Sequence, residues 1–365
     1  MTMTKKFSWL MVLALVLALA VPTMAQDDME LEPWECPEGF EGETLSVYNW
    51  ATYIAENTIP DFEEACGVTV EYSIFGSADE ALAVIRQGNP GYDVLMPSDY
   101  IVSIMAEEEL IMPLDLEMIP NLENVSPRFE DIAYDPGFEY SVPYQWGTIG
   151  VGYSTEAFPD GVASWEDLWN HDGDVAWIEE PRSMLGIGLL MLGYDPNSTD
   201  EDELEEAAEY LIDNGENVVA VAADDGQALL ERGDVDAAVE YNGDVYQVIF
   251  DCECDDFAYA VPGEGAVIWT DAMVVPSDAP SPELAHAFID YILHPQVGAE
   301  LSNFTAYGSP NQAAIDMGLI DEELLNDTGI YPDEEASEGL FEIVELPEIE
   351  DLVNDLWDEI KIEIG

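Results

Sequence analysis

The chain predicts an α/β fold of two lobes. Strand and helix signals alternate from about residue 44, the first of them in the order β-α-β-α-β. Roughly 320 residues remain beyond an N-terminal leader and an acidic stretch, more than one hydrophobic core usually organises. Leu45 to Asn49 reads as a strand, Ile54 to Ala65 as an amphipathic helix and Val68 to Ser73 as a second strand. Ser77-Ala78-Asp79-Glu80 is a capping box opening a helix to about Gln87, and Tyr92 to Met96 is a buried strand. Such a start builds a mostly parallel sheet with helices on both faces, whose ligand loops leave the carboxyl ends of the strands. Trp50 and Ser98 to Tyr100 both stand just after such strands.

Tyr140-Ser141-Val142-Pro143-Tyr144 leads into a strand near Gly147 to Tyr153, which crosses to the second lobe. That lobe reads as a strand around Asp174 to Ile178, helices over 182–192 and 200–213, a strand at Val218 to Ala222 and a helix over 226–231. A strand from Val235 to Tyr241 then delivers Asn242-Gly243-Asp244, and one around Ala266 to Ile268 delivers Trp269-Thr270-Asp271. Met273 to Pro276 crosses back, and Ser281-Pro282 caps a helix with Leu284, Ala285, Phe288, Ile289 and Ile292 on one stripe. The expected organisation is a leader over 1–25, an acidic linker over 26–43, lobe 1 over 44–146 plus 272–317, and lobe 2 over 147–271 plus 318–365.

The leader has Lys5 and Lys6, an apolar run from Phe7 to Val21 and small residues before Gln26, the pattern of a secretory signal cleaved after Ala25. An uncleaved anchor is the alternative, and the cleavage region lacks the Cys of a lipoprotein. No later segment is apolar for long enough to insert in a membrane. The chain carries 7 Lys plus Arg against 80 Asp plus Glu, a formal net charge of −73. That surface argues against nucleic acid and anionic lipid as partners. Most of the carboxylates read as a solvated coat, an adaptation to salt that says nothing about a site.

Cys36, Cys66, Cys252 and Cys254 follow a secretion signal, so disulfides are allowed, and three pairings remain open. A bridge from Cys36 would pin the N-terminal segment, whereas one from Cys252 to Cys254 would be strained. Zinc is the alternative, but one Cys-x-Cys with two scattered partners and no nearby His is poor ligand spacing.

Five segments set an aromatic ring beside a carboxylate or hydroxyl: Tyr48 to Tyr53, Pro97 to Tyr100, Tyr241 to Asp244, Trp269 to Asp271, and Tyr307 to Asn311. Ring faces attract ammonium groups, each for roughly 0.5–2 kcal/mol, and carboxylates add charge-assisted hydrogen bonds. Gathered at one cleft, these segments would form a cage for an organic cation.

From about Leu45 to Val344 the chain resembles the polyamine-binding proteins of bacterial ABC importers, the spermidine/putrescine receptors of the type II periplasmic-binding-protein fold. Tyr48-Asn49-Trp50, Tyr92-Asp93-Val94 with Pro97-Ser98, Pro143-Tyr144-Gln145-Trp146-Gly147, Ser164-Trp165-Glu166-Asp167-Leu168-Trp169 and Leu192-Gly193-Tyr194 carry the resemblance, in order and spacing. It implies two lobes that close on a linear diamine or polyamine, and a closed form that permease subunits of an ABC transporter read. It also implies a monomeric receptor in the periplasm or on the outer surface, without a cofactor. By position, Trp50, Tyr53, Tyr100, Tyr241, Trp269 and Tyr307 would stack on the ligand, and Ser98 would bond a terminal amine. Asp271 matches an amine-binding carboxylate and Glu180 falls where the family carries Asp. Asp244 resembles the putrescine type, and Glu342 is placed near a C-terminal polar contact. Thr52 and Ser183 stand where the family has acids, each replacement removing a salt bridge to an ammonium group. Three carboxylates remain, which suits a diamine or a triamine and leaves a guanidino or quaternary ammonium compound open.

A secreted hydrolase is the main reading from another class. With only His171, His286 and His294, and no zinc-protease motif, nucleophile elbow or phosphate loop, the chain offers it little. Asp195 to Glu206 imitates a calcium loop but has Asp200 at the sixth position, where that loop needs Gly, and capping by Ser198 or Thr199 explains it better. A sensor or surface scavenger would keep the same fold and site.

Overall fold

The alternation at the start of the chain becomes β1 (Thr44–Trp50), α1 (Thr58–Cys66), β2 (Thr69–Phe75), α2 (Ala78–Arg86) and β3 (Val94–Leu95), with β1 paired in parallel to both β2 and β3. The structure is a computed structural model that describes residues 31–364 apart from 224, 253, 334–336, 338 and 345, so the leader and its cleavage site lie outside the described residues. α1 stops at Gly67, whose φ of 67° is a left-handed conformation that glycine adopts without strain. α2 starts as its capping box requires: the Glu80 amide donates to the Ser77 hydroxyl at 3.2 Å. The Glu80 carboxylate reaches the Gly76 amide at 2.9 Å instead of that of Ser77.

A helix over Asp99–Glu107 (α3) follows Ser98, burying Ile101, Val102 and Met105. Its short apolar set runs into Glu107-Glu108-Glu109, which masks the period in the sequence. The chain then crosses between lobes on one 14-residue strand, β4 (Ser141–Ser154), buried along all but its last residue. Asp135 fixes the point of entry, accepting from the Ser141 amide and the Ser141 hydroxyl, both at 2.7 Å.

Between the two crossing strands run α4 (Trp165–Trp169), β5 (Val175–Ile178), α5 (Pro181–Leu192), α6 (Glu201–Asp213), β6 (Val218–Ala222), α7 (Gly226–Glu231), β7 (Ala237–Tyr241), α8 (Asn242–Cys252) and β8 (Phe257–Ala260). The return is β9 (Val267–Val274), a single strand where the sequence suggested two short ones. It pairs antiparallel with β4 from Ser141↔Val274 to Ile149↔Val267. The sheet order is β2-β1-β3-β9-β4-β7-β5-β6, with β8 on β4, so two parallel sets flank an antiparallel pair that belongs to both lobes. α9 (Pro282–Ile292) and α10 (Pro295–Thr305) follow, Phe288 of α9 packing on Phe62 of α1 at 5.1 Å. The C-terminal helix, Glu350–Ile364, is held by Glu179, which accepts from Trp357 Nε1 at 3.1 Å and Lys361 Nζ at 2.7 Å. Asp200, not Ser198 or Thr199, caps α6, accepting from the Asp202 amide at 3.0 Å.

Cys36 is bonded to Cys66, and Cys252 to Cys254. The segment from Trp34 is therefore no loose linker. Trp34 donates to Asp290 Oδ2 at 2.8 Å and sits 5.0 Å from Tyr291, and the Gly42 amide donates to the Gly67 carbonyl at 2.8 Å. The sequence hides this docking because the surrounding residues are acidic, Pro-rich and Gly-rich.

Candidate ligand-binding site

At the crossing of the lobes a cavity of about 330 Å³ is lined by Trp50, Ala51, Tyr53, Ser98, Tyr241, Asp244, Trp269, Asp271 and Tyr307. Each comes from the end of an element or from a crossing strand. β1 ends in Trp50, whose Nε1 donates to the Met96 carbonyl at 3.0 Å. The turn after it is held from inside: Tyr144 of β4 donates to the Tyr53 carbonyl at 2.6 Å. Trp269 is the centre of the aromatic wall. The Tyr307 and Tyr241 rings meet it edge-on at 5.2 and 5.6 Å, and Tyr53 meets Tyr307 edge-on at 5.1 Å.

Two glycines make room for that wall. A Cβ on Gly147 would lie 2.2 Å from Asn242 Oδ1 and 2.7 Å from the Trp269 ring, and a Cβ on Gly243 would lie 2.5 Å from the Tyr307 ring. Neither position admits another residue without displacing a cavity side chain.

The carboxylates divide by their hydrogen bonds. Asp244, in the first turn of α8, accepts from the Tyr307 hydroxyl at 2.5 Å and the Thr52 hydroxyl at 3.3 Å, one on each oxygen. Asp271 lies in the middle of β9, bridged to Ser98, and its Oδ1 is buried without a hydrogen-bond partner among the described residues. The Tyr53 hydroxyl and Trp269 Nε1 are in the same condition. Burial pushes Asp271 up to about 8, the neighbouring Ser98 and Tyr53 hydroxyls opposing it and Asp99 and Glu180 adding to it. Burial likewise raises Asp244 to about 6. A buried carboxyl with no cation beside it holds its proton to a higher pH than a solvated one, and an arriving ammonium group favours the ionised form and displaces whatever proton remains.

Behind Asp271 stands Asp99, 6 % exposed, which accepts from the Tyr100 amide at 2.8 Å and the Thr270 amide at 3.1 Å. Burial raises it to about 7 despite those bonds. The sequence displays Asp99 between Ser98 and Tyr100, but its position behind the site depends on α3 starting there.

A second cavity, about 400 Å³, shares Ser98, Tyr241 and Trp269 with the first and adds Tyr100, Glu180 and Ser183. Glu180 accepts from the Tyr241 hydroxyl at 3.2 Å. Two candidates lie apart from both linings. Thr52 is exposed in a left-handed conformation (φ 50°) and acts on Asp244. Glu342 is exposed, and its backbone carbonyl accepts from Asn197 at 2.8 Å.

Two lobes joined by β4 and β9, with an aromatic and acidic cavity at the crossing, define a receptor of the periplasmic-binding-protein fold. The chain belongs to the bacterial extracellular solute-binding protein family, whose model matches residues 57–328. It is 31% identical over 357 residues to the putrescine-binding periplasmic protein SpuD of Pseudomonas aeruginosa, covering 92% of this chain and 93% of that protein. It is 31% identical over 300 residues to the spermidine/putrescine-binding periplasmic protein of Escherichia coli, covering 81% of this chain and 85% of that protein. Among solved structures it resembles the spermidine/putrescine ABC transporter substrate-binding protein PotD of Streptococcus pneumoniae, with a TM-score of 0.77 and 31% identity over 89% of this chain and all of that one. No helix among the described residues is long and apolar enough to cross a membrane.

Proposed function

We propose that the protein is an extracytoplasmic polyamine receptor that binds a putrescine- or spermidine-like amine between its lobes and delivers it, as a monomer, to the permease of an ABC importer. The observation that carries this reading is Asp271 Oδ1: a carboxylate oxygen buried inside an aromatic box, beside the Ser98 and Tyr53 hydroxyls but with no hydrogen-bond partner within reach among the described residues. An ammonium group supplies what that oxygen lacks, and the rings of Trp269, Tyr53 and Tyr307 supply the cation–π surface. Asp271 takes one amine, with Ser98 beside it, and Asp244 takes the other, oriented by Tyr307 and Thr52. Trp50 and Tyr241 cover the methylenes. The names of the relatives support the same ligand class. The lobes divide at 146/147, 271/272 and 317/318, so that β4 and β9 cross between them and act as the hinge.

Isothermal titration of the mature protein with putrescine, cadaverine, spermidine and spermine at moderate and high salt tests the proposal. Saturable one-to-one binding that depends on chain length and survives high salt is the expected result. Weak multi-site heats that vanish with salt would mean that amines only coat an acidic surface.

A further inference from the structure

Outside residues 1–30 the chain has five basic side chains, Arg86, Arg128, Arg182, Arg232 and Lys361. Three are ion-paired: Arg86 with Glu108, Arg232 with Asp234 and Lys361 with Glu179. Arg128 lies 3.9 Å over the Trp146 ring, and Glu342 acts on its charge. Arg182 differs from all of these. Its Nη2 donates to the neutral amide oxygen of Asn197 at 3.0 Å, and its Nη1 is buried without a hydrogen-bond partner among the described residues. Burial lowers its pKa, and the group that opposes this is the phenol of Tyr100, not a carboxylate.

Arg182 lines the second cavity of the cleft together with Ser183, 5 % exposed. In a protein with 80 acidic residues, a guanidinium in no ion pair among the described residues, on a cavity wall whose one carboxylate, Glu180, accepts from Tyr241, calls for an anion from elsewhere. The first turn of α5, to which both residues belong, adds a favourable potential for negative charge. A terminal ammonium there would face Arg182 with one carboxylate, Glu180, that already accepts from Tyr241.

We infer that the physiological ligand carries a carboxylate at its outer end: an amine-terminated chain whose ammonium meets Asp271 in the first cavity and whose carboxylate meets Arg182 and Ser183 in the second. The inference rests on the polyamine reading and narrows it to carboxylated polyamines. Paired donors on a guanidinium suit a carboxylate, and the Ser183 hydroxyl adds a third donor.

The test uses a matched pair, spermidine and N-(2-carboxyethyl)putrescine, which share a diaminobutane end and differ in an ammonium or a carboxylate at the other. Titration of the mature protein should show the carboxylated compound binding at least about tenfold more tightly than spermidine. Arg182→Gln should collapse that ratio, and Ser183→Glu should reverse it in favour of spermidine, each variant checked for an unchanged circular dichroism spectrum. Spermidine binding as tightly as its partner, or an unchanged ratio in folded Arg182→Gln, would overturn the inference. Putrescine is titrated alongside. If it binds and the pair shows no preference, this inference alone fails; if no compound binds, the polyamine reading fails with it.

Discussion

Ligand binding should release protons, and the amount follows from the buried carboxyls. With Asp271 at about 8, Asp99 at about 7 and Asp244 at about 6, the empty site at pH 7 holds about 0.9 proton on Asp271, about 0.5 on Asp99 and about 0.1 on Asp244. An ammonium against Asp271 favours its ionised form and expels its proton. Release should therefore approach one proton at pH 7 and fall to about 0.1 from Asp271 at pH 9. The sign is fixed: protons compete with the ligand, so affinity weakens by about tenfold per pH unit below 8, about 1.4 kcal/mol, and levels off above it. Titration calorimetry in phosphate and in Tris, whose ionisation enthalpies differ widely, reads the released protons as the slope of the observed heat. Asp271→Asn should abolish most of the slope, and Asp99→Asn should lower it at pH 7, because removing the Asp99 charge lets Asp271 ionise earlier. A zero slope at pH 7, with affinity flat from pH 6 to 9, would refute the reasoning.

Asp271→Asn should also weaken diamine binding at least tenfold, about 1.4 kcal/mol. The same variant should raise the melting temperature of the empty protein at pH 8, because a carboxyl whose folded pKa is raised costs stability progressively as pH rises from about 4 to 8; a lower melting temperature there would count against the burial argument. Gly147→Ala, which drives a methyl group into Trp269 and Asn242, should lose binding while remaining folded, and wild-type affinity would contradict the packing of the aromatic wall. Opening the Cys36–Cys66 bridge by a double Ser substitution should cost about 3–4 kcal/mol for a separation of 30 residues, read by chemical denaturation. With a formal net charge of −73, thermal stability should climb between low and molar salt, and a flat melting temperature would show that the acidic coat does not repel itself.

The β-α-β-α-β start and the cleft-forming segments are legible because apolar period, capping residues and aromatic–acid pairs are local signals. Ser77 caps α2 as its sequence indicates, and α7 occupies Gly226–Glu231 as read. What the sequence conceals depends on contacts remote along the chain. Asn242-Gly243-Asp244 reads as the segment a strand delivers, yet it is the first turn of α8, where a Cβ at Gly243 would strike the Tyr307 ring. Thr52 reads as a ligand contact by position, but its left-handed backbone carries the hydroxyl to Asp244. The docking of Trp34 could not be read from a stretch of acidic residues, Pro and Gly, because its partner, Asp290, lies 256 residues away. Asp99 is plain in the sequence, and its burial beside Asp271 becomes visible only when Thr270 and Tyr100 are seen bonded to it.

β9 carries Trp269, Thr270 and Asp271 in its middle, paired to β4 on one edge and bridged to Ser98 on the other. Under the proposed function, one of the two carboxylates that meet the ligand thus sits on a strand that pairs with the other crossing strand. If β4 and β9 are the hinge, a shift in how Asp271 is seated bends the element about which the lobes turn, and the same few peptide units settle both affinity and closure. Selection for a new ligand has little freedom to work there without altering the signal that the closed form presents. Changes of taste are instead expected at Thr52 and Ser183, which stand on a turn and on a helix outside the two crossing strands.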